Sequence, residues 1–222
     1  MSGTGRLIVL EGPDGVGRTS VVRRLRAKLE AEGRKVVCVR LRGSEGMRGP
    51  LRTLQRQADI SERALFLLYA ADLSDLWRHE IEPGLAAGAV VLCDRYTLTP
   101  VVRLEARGID PAWAEEVLAF LPRPDLTLVL EADARLRLRR MLARRRFLTP
   151  RESGFGATFR RDPQAMLIRY QRQLDALFHQ RVNGHAVKAV DAARDLALVT
   201  DDAFMLSREA LATYGGGDAH GA

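Results

Sequence analysis

Residues Glu11 to Ser20 read EGPDGVGRTS. Gly12 and Gly17 stand five apart, with Arg18 and the hydroxyl of Thr19 following. This is the G-x-x-x-x-G-[KR]-[ST] spacing of a phosphate-binding loop. Glycines let successive backbone N–H groups turn inward, and the following helix N-terminus adds partial positive charge. The loop expected to hold nucleotide phosphates comprises Gly12, Pro13, Asp14, Gly15, Val16, Gly17, Arg18, Thr19 and Ser20. The Thr19 hydroxyl is placed to reach Mg²⁺. Lysine is the usual residue before that hydroxyl, and Arg18 keeps the charge on a longer, planar group. Two readings therefore stand at position 18, a loop that still works in catalysis with an unusual cation or one that binds phosphates and has lost catalysis.

The context on either side supports the loop. Leu7–Leu10 is a short apolar run that predicts a buried strand, and Thr19–Glu32 shows helical spacing with Val22, Leu25 and Leu29 on one side. Further strands are predicted at Val36–Leu41, Ala89–Cys93, Asp125–Leu130 and Ala186–Val190. Helices are predicted around Leu51–Gln57, from Ser61 to about Leu85 with a bend, from Pro111, over Ala134–Arg146, over Pro163–Phe178 and through Leu196–Leu211. Alternating strands and helices predict an α/β fold, a parallel five-stranded sheet with helices on both faces. No repeat or linker interrupts 1–214, which reads as one domain, and 215–222 reads as a frayed tail.

The 222 residues carry net charge +7, and Lys28, Lys35 and Lys188 are the only lysines. A basic balance suits nucleic acid or small polyanions. The densest run, RLRLRRMLARRRF, lacks aromatics to stack on bases, so nucleic acid is not the expected partner. No apolar run approaches the ~20 residues of a membrane span, and the N-terminus has no cleavable-signal pattern, so a cytoplasmic protein is expected. Cys38 and Cys93 read as isolated thiols in strands, Trp77 and Trp113 as core, and His79 and His185 have no metal-ligand spacing. The arginines of 135–140 read chiefly as a solvated helix face.

A second candidate site is Asp94-Arg95-Tyr96, at the C-terminal edge of a strand, where open α/β sheets bind ligands. The aspartate can hold Mg²⁺ and the arginine can clamp a second phosphate in a bidentate fork.

With these residues in view, the chain resembles the thymidylate kinases, a branch of the P-loop nucleoside monophosphate kinases. The matching stretches are EGPDGVGRTS, ERALFLLYAADLSDL, GAVVLCDRY, PDLTLVLEADARLRLRRMLAR and RYQRQL, in order from about residue 5 to 180. The resemblance implies a three-layer P-loop kinase fold and transfer of the γ-phosphoryl group of ATP, with Mg²⁺, to a nucleoside monophosphate, dTMP by default. It implies that Asp14 positions the acceptor sugar, that Arg95 binds the acceptor phosphate with support from Arg52, and that Tyr69 stacks on the pyrimidine. It also implies a lid over ATP at about 144–161 that supplies a catalytic arginine, Arg151, because Pro13 and Val16 leave the loop without a basic residue in its variable part. A homodimer through the long helices is implied by the resemblance alone. The departures are Leu73 where the family has an arginine on the thymine carbonyl, Arg103 and Leu104 where it has tyrosine and glutamine, and RLRGSEG in place of its REPGG turn. A non-catalytic nucleotide-binding protein and a kinase for another acceptor stay open as rivals.

Overall fold

A computed structural model describes residues 5–54, 60–144, 163–183 and 186–213. Most of the expected lid, including Arg151, lies outside the described residues, as do His185 and the 215–222 tail.

The central strand is β1, Arg6–Glu11, whose residues point alternately to the two sides of the sheet. Leu7 and Val9 enter one hydrophobic cluster, and Ile8 and Leu10 enter the other. Both sets are nearly or fully buried, so each face of the sheet must be covered. The other strands are β2 (Val36–Arg40), β3 (Val90–Asp94), β4 (Leu126–Glu131) and β5 (Val187–Asp191). All neighbours pair parallel in the order β2-β3-β1-β4-β5. The expected five-stranded parallel sheet is therefore present.

Helix α1, Arg18–Ala31, covers one face with Val21, Val22, Leu25 and Leu29. The last helix, Leu196–Thr213, adds Val199, Ala203 and Leu211 on the same side. The opposite face carries α2 (Glu45–Leu54), α3 (Glu62–Leu76), α4 (Glu82–Ala86), α5 (Leu98–Glu105) and α6 (Pro111–Val117). Ser61 caps α3 by accepting from the Ala64 N–H at 3.2 Å. The expected bend is a π-helical turn over Trp77–Ile81 that joins α3 to α4. Helices α7 (Ala134–Arg144) and α8 (Pro163–His179) complete the set, and the last helix is α9.

Three expectations need correction. Helix α2 starts at Glu45, six residues ahead of the predicted start near Leu51, and runs through Gly46 and Gly49. Helix α5 has no counterpart in the sequence reading. Arg137 is wholly buried rather than part of a solvated face. The thiol of Cys93 is buried and that of Cys38 half-buried.

Candidate active site

The chain leaves β1 at Glu11 and must turn sharply to start α1. Gly12 makes this possible with φ of 126°, and a Cβ there would run into the Leu130 carbonyl of β4. The loop thereby sits at the C-terminal edge of the sheet, beside the ends of β3 and β4.

Arg18 opens α1, and its side chain folds back beneath the loop with only 8% exposure. Its Nη1 donates to the carbonyls of Gly12 and, at 2.6 Å, Pro13, while Nε donates to Asp94 Oδ1 at 3.1 Å. Nη2 faces Asp14 Oδ1 at 3.9 Å. The next residue, Thr19, donates from Oγ1 to Asp94 Oδ2 at 2.6 Å. Asp94 is thus held by Thr19, which the sequence reading pairs with it at Mg²⁺, and by Arg18, which it does not. Burial alone would raise its pKa, but Arg18, the Thr19 hydrogen bond, Arg95 and Arg40 outweigh that and hold it below the usual carboxylate range. Thr19 Oγ1 and Asp94 Oδ2 present one hydroxyl and one carboxylate oxygen at a single point. This fits Mg²⁺, which takes one or two protein oxygens and fills its remaining positions with phosphate and water. Among the described residues no cluster of three or more His, Cys, Asp or Glu offers an alternative metal site.

Arg95 follows β3 in the left-handed region, φ 76°, a conformation that costs a non-glycine residue about 1–3 kcal/mol. Its backbone N–H donates to Leu10 O at 3.0 Å, which anchors the turn to β1. Nη1 donates to Thr99 Oγ1 at 2.7 Å and Gly12 O at 3.2 Å, and Nη2 to Asp14 Oδ1 at 2.5 Å. The other Asp14 oxygen accepts from Arg103 Nη2 at 2.6 Å. Burial would raise the pKa of Asp14, yet Arg103, Arg95, Arg18 and Arg42 together hold it far below the usual carboxylate range. Burial beside Arg18 and Arg103 pulls Arg95 down to about 9, with Asp14 and Glu11 acting in the opposite sense. An arginine-rich surface built around one carboxylate is suited to bind phosphates, each of which would relieve the mutual repulsion of the cations.

Beside this cluster is a pocket lined by Glu62, Leu65, Phe66, Tyr69, Pro100, Arg103, Leu104, Arg107 and Tyr170. Arg103 Nη1 lies 3.5 Å from the Tyr69 hydroxyl. Arg107 pairs with Glu62 at 3.8 Å and stands over the Tyr170 ring at 4.9 Å. The structure therefore brings together Arg18, Thr19, Asp94, Arg95, Asp14, Arg103 and Tyr69. Leu73 does not line the pocket; it is 1% exposed in the core between α3 and the sheet. Its reading as a base-facing position is corrected, since on a helix packed against a sheet that position turns inward. The backbone of Arg52 lies on α2, and its side chain lies outside the described residues.

Sequence reasoning missed several supports. Glu11, fully buried, accepts from the N–H groups of Tyr96 (2.8 Å) and Thr99 (3.2 Å) and from the Thr99 hydroxyl. Asp72 accepts from the N–H groups of Arg42 and Ser44 and, at 2.8 Å, from Ser44 Oγ. It holds the turn after β2, where Arg42 has φ 69°. The acidic residues inside EG and AAD were the available signal: a carboxylate in an apolar strand or helix needs buried donors.

The thymidylate kinase family profile matches residues 10–202. A thymidylate kinase of Clavibacter sepedonicus is 40% identical over 155 residues, covering 65% of this chain and 72% of that protein. A probable thymidylate kinase of Pyrococcus horikoshii is 34% identical over 146 residues, 63% of this chain and 71% of the relative. A thymidylate kinase of Solidesulfovibrio magneticus is 36% identical over 144 residues, covering 62% and 69%. With the phosphate loop, strands β2 to β5 and the Asp94–Arg95 turn all in the matched region, the chain belongs to the thymidylate kinase family of nucleotide phosphotransferases.

Proposed function

We propose that this protein transfers the γ-phosphoryl group of ATP to a nucleoside monophosphate, with dTMP as the default acceptor. The observation that carries the reading is the junction of two phosphate sites. The loop that suits the donor and the arginine that suits the acceptor meet at Asp14, through the 2.5 Å contact from Arg95.

In this reading the backbone N–H groups of the Gly12–Ser20 loop enclose the donor phosphates, and Arg18 supplies a guanidinium to them. Thr19 and Asp94 would hold Mg²⁺, which when bound neutralises charge on the donor phosphates. Arg95 exchanges its contacts to the Gly12 carbonyl and Thr99 for the acceptor phosphate, and Arg52 supports it. Asp14 keeps Arg95 and Arg103 in place and bears on the acceptor sugar, while Tyr69 offers its ring to the base. A lid arginine, Arg151, approaches the moving group. Catalysis of this kind is mainly positioning and electrostatic stabilisation. The family resemblance further supports a single domain through residue 214, a cytoplasmic location and a homodimer through the long helices. Among the described residues no helix is long and apolar enough to cross a membrane.

Initial rates with ATP, Mg²⁺ and dTMP, dUMP, dCMP or dGMP test the acceptor. Leu104 brings no hydrogen bond to the pocket, and two of its polar groups are already engaged, Arg103 with Asp14 and Arg107 with Glu62. Stacking tolerates any base. The expected preference for dTMP over dCMP is below about a hundredfold, the scale of a lost buried hydrogen-bond pair. A larger preference shows that another group reads the base, and no transfer to any of the four defeats the proposed function.

A further inference from the structure

Helix α7 packs against the phosphate loop closely. A Cβ on Gly15 would lie 2.6 Å from the Arg137 carbonyl and 2.7 Å from Met141 Cγ. From this helix two arginines, one turn apart, reach loop carbonyls. Arg137 Nη1 donates to Asp14 O at 3.0 Å, and Arg140 Nη1 donates to Val16 O at 3.3 Å.

Arg137 is 0% exposed, and its remaining donors are also used. Nε donates to Ala132 O at 3.1 Å, Nη1 to Gln171 Oε1 at 2.6 Å, and Nη2 to Gln171 O at 3.2 Å and Asp175 Oδ1 at 2.6 Å. Arg140 is braced in turn by Ala192 O at 3.0 Å. A buried guanidinium with this many fixed partners has one orientation, so the carbonyl it holds has one orientation too.

That constraint reaches the anion-binding side of the loop through peptide geometry. In a trans peptide the carbonyl and the next residue's N–H point in opposite directions across a rigid plane. Holding Asp14 O against α7 turns the Gly15 N–H away from α7, and holding Val16 O does the same for the Gly17 N–H. Among the described residues neither of these N–H groups donates to a backbone carbonyl. Alternate peptides of the loop are therefore locked with their donors facing one way, which is the arrangement an anion needs.

We propose that Arg137 and Arg140 are positioning residues that set the Gly15 and Gly17 N–H groups for polyphosphate binding by holding the Asp14 and Val16 carbonyls from behind. The inference rests on the proposed reading that this loop holds the donor phosphates. Through Gln171 and Asp175 it also makes α8 part of the loop's support.

The test uses the full chain and two probes, tripolyphosphate and ATP, with binding measured by calorimetry and folding checked by thermal melts. Arg140→Ala and Arg137→Lys are expected to weaken both probes by about tenfold, the effect of losing one such hydrogen bond. In Arg140→Ala the KM for ATP should rise while the KM for dTMP stays within about twofold, because the Asp14 contacts to Arg95 and Arg103 are left in place and the two changes are then nearly independent. The Gly15 and Gly17 amide NMR signals should move. Arg139→Ala, which removes the same charge from the exposed side of α7, should leave both affinities unchanged. Folded Arg140→Ala and Arg137→Lys proteins that bind tripolyphosphate like the parent, with Gly15 and Gly17 signals in place, overturn the inference. If Arg137→Lys does not fold, Arg140→Ala decides alone. A parent protein that binds neither probe defeats the reading of the loop itself, and the inference falls with it.

Discussion

Arg18 keeps the charge of the usual lysine but uses it differently. It donates to two loop carbonyls and to Asp94, so it braces the loop, and in the proposed function it serves the donor phosphates as well. Arg18→Ala removes both contributions and should weaken ATP binding by about tenfold or more, the scale of hydrogen bonds to a charged group. Arg18→Lys should keep or raise turnover, because a compact ammonium can follow the phosphates. Calorimetry and initial rates read the two outcomes, and ATP affinity unchanged in Arg18→Ala would remove the side chain from the donor site. Asp14 couples the stability of the fold to pH. Its folded pKa lies far below the ordinary 3.8, so on acidification the unfolded chain takes up the proton first. The stability given by the Arg95–Asp14–Arg103 cluster is therefore complete above that ordinary value and is lost as pH falls toward the folded pKa. Asp14→Asn should lower stability at pH 7 by about 1.5–3 kcal/mol, the scale of hydrogen bonds to a charged group, and should flatten the acid limb of Tm against pH. An acid limb as steep as the parent's would show that another carboxylate controls it. Arg18, Asp94 and Arg95 were legible in the sequence because each sits in a motif of fixed spacing. Arg137 was not, because its burial depends on Gln171 and Asp175, more than thirty residues away.

Among the elements, α5 shows why local reading fails where support is remote. Its sequence, LTPVVRLE, has β-branched residues and a proline, and Thr97 at its start makes no side-chain cap. Proline is tolerated there because the first turn has no intrahelical partner for its N–H. The cap comes from Glu11, at the end of β1, which takes the Thr99 N–H across a separation of 88 residues. Glu11 also holds Tyr96 and Thr99 Oγ1, the group that accepts from Arg95. Glu11→Ala should therefore cost about 3 kcal/mol or more through stranded buried donors. It should also raise the KM for the acceptor more than that for ATP, because Glu11 holds the Tyr96 N–H and so fixes the turn that carries Arg95, while the loop's contacts from α7 remain. Equal changes in the two KM values would assign Glu11 to general stability alone. The helix start at Glu45 was hidden for a different reason: Gly46 and Gly49 argue for a loop, and packing of the turn by Asp72 overrides that preference.

At the scale of the molecule, the order β2-β3-β1-β4-β5 puts β1 at the centre with β3 and β4 on its flanks. The loop after β1 and the turn after β3 are then neighbours, which explains how residues 14 and 95 share one ion pair. The parallel sheet was legible because strands buried on both faces give short apolar runs between helical periodicities. The strand order was not, since pairing is decided by crossovers rather than by any local pattern. Leu73 illustrates the same limit: a resemblance assigned it to the pocket, and the packing of α3 puts it in the core. In the proposed function the two phosphate sites form one reaction centre. Incubating the protein with γ-labelled ATP, Mg²⁺ and dTMP, and following the label, shows whether they act together. The expected result is label in dTDP in equal amount to the ADP formed. ATP that binds and is never transferred, or label that appears only as inorganic phosphate, would contradict it.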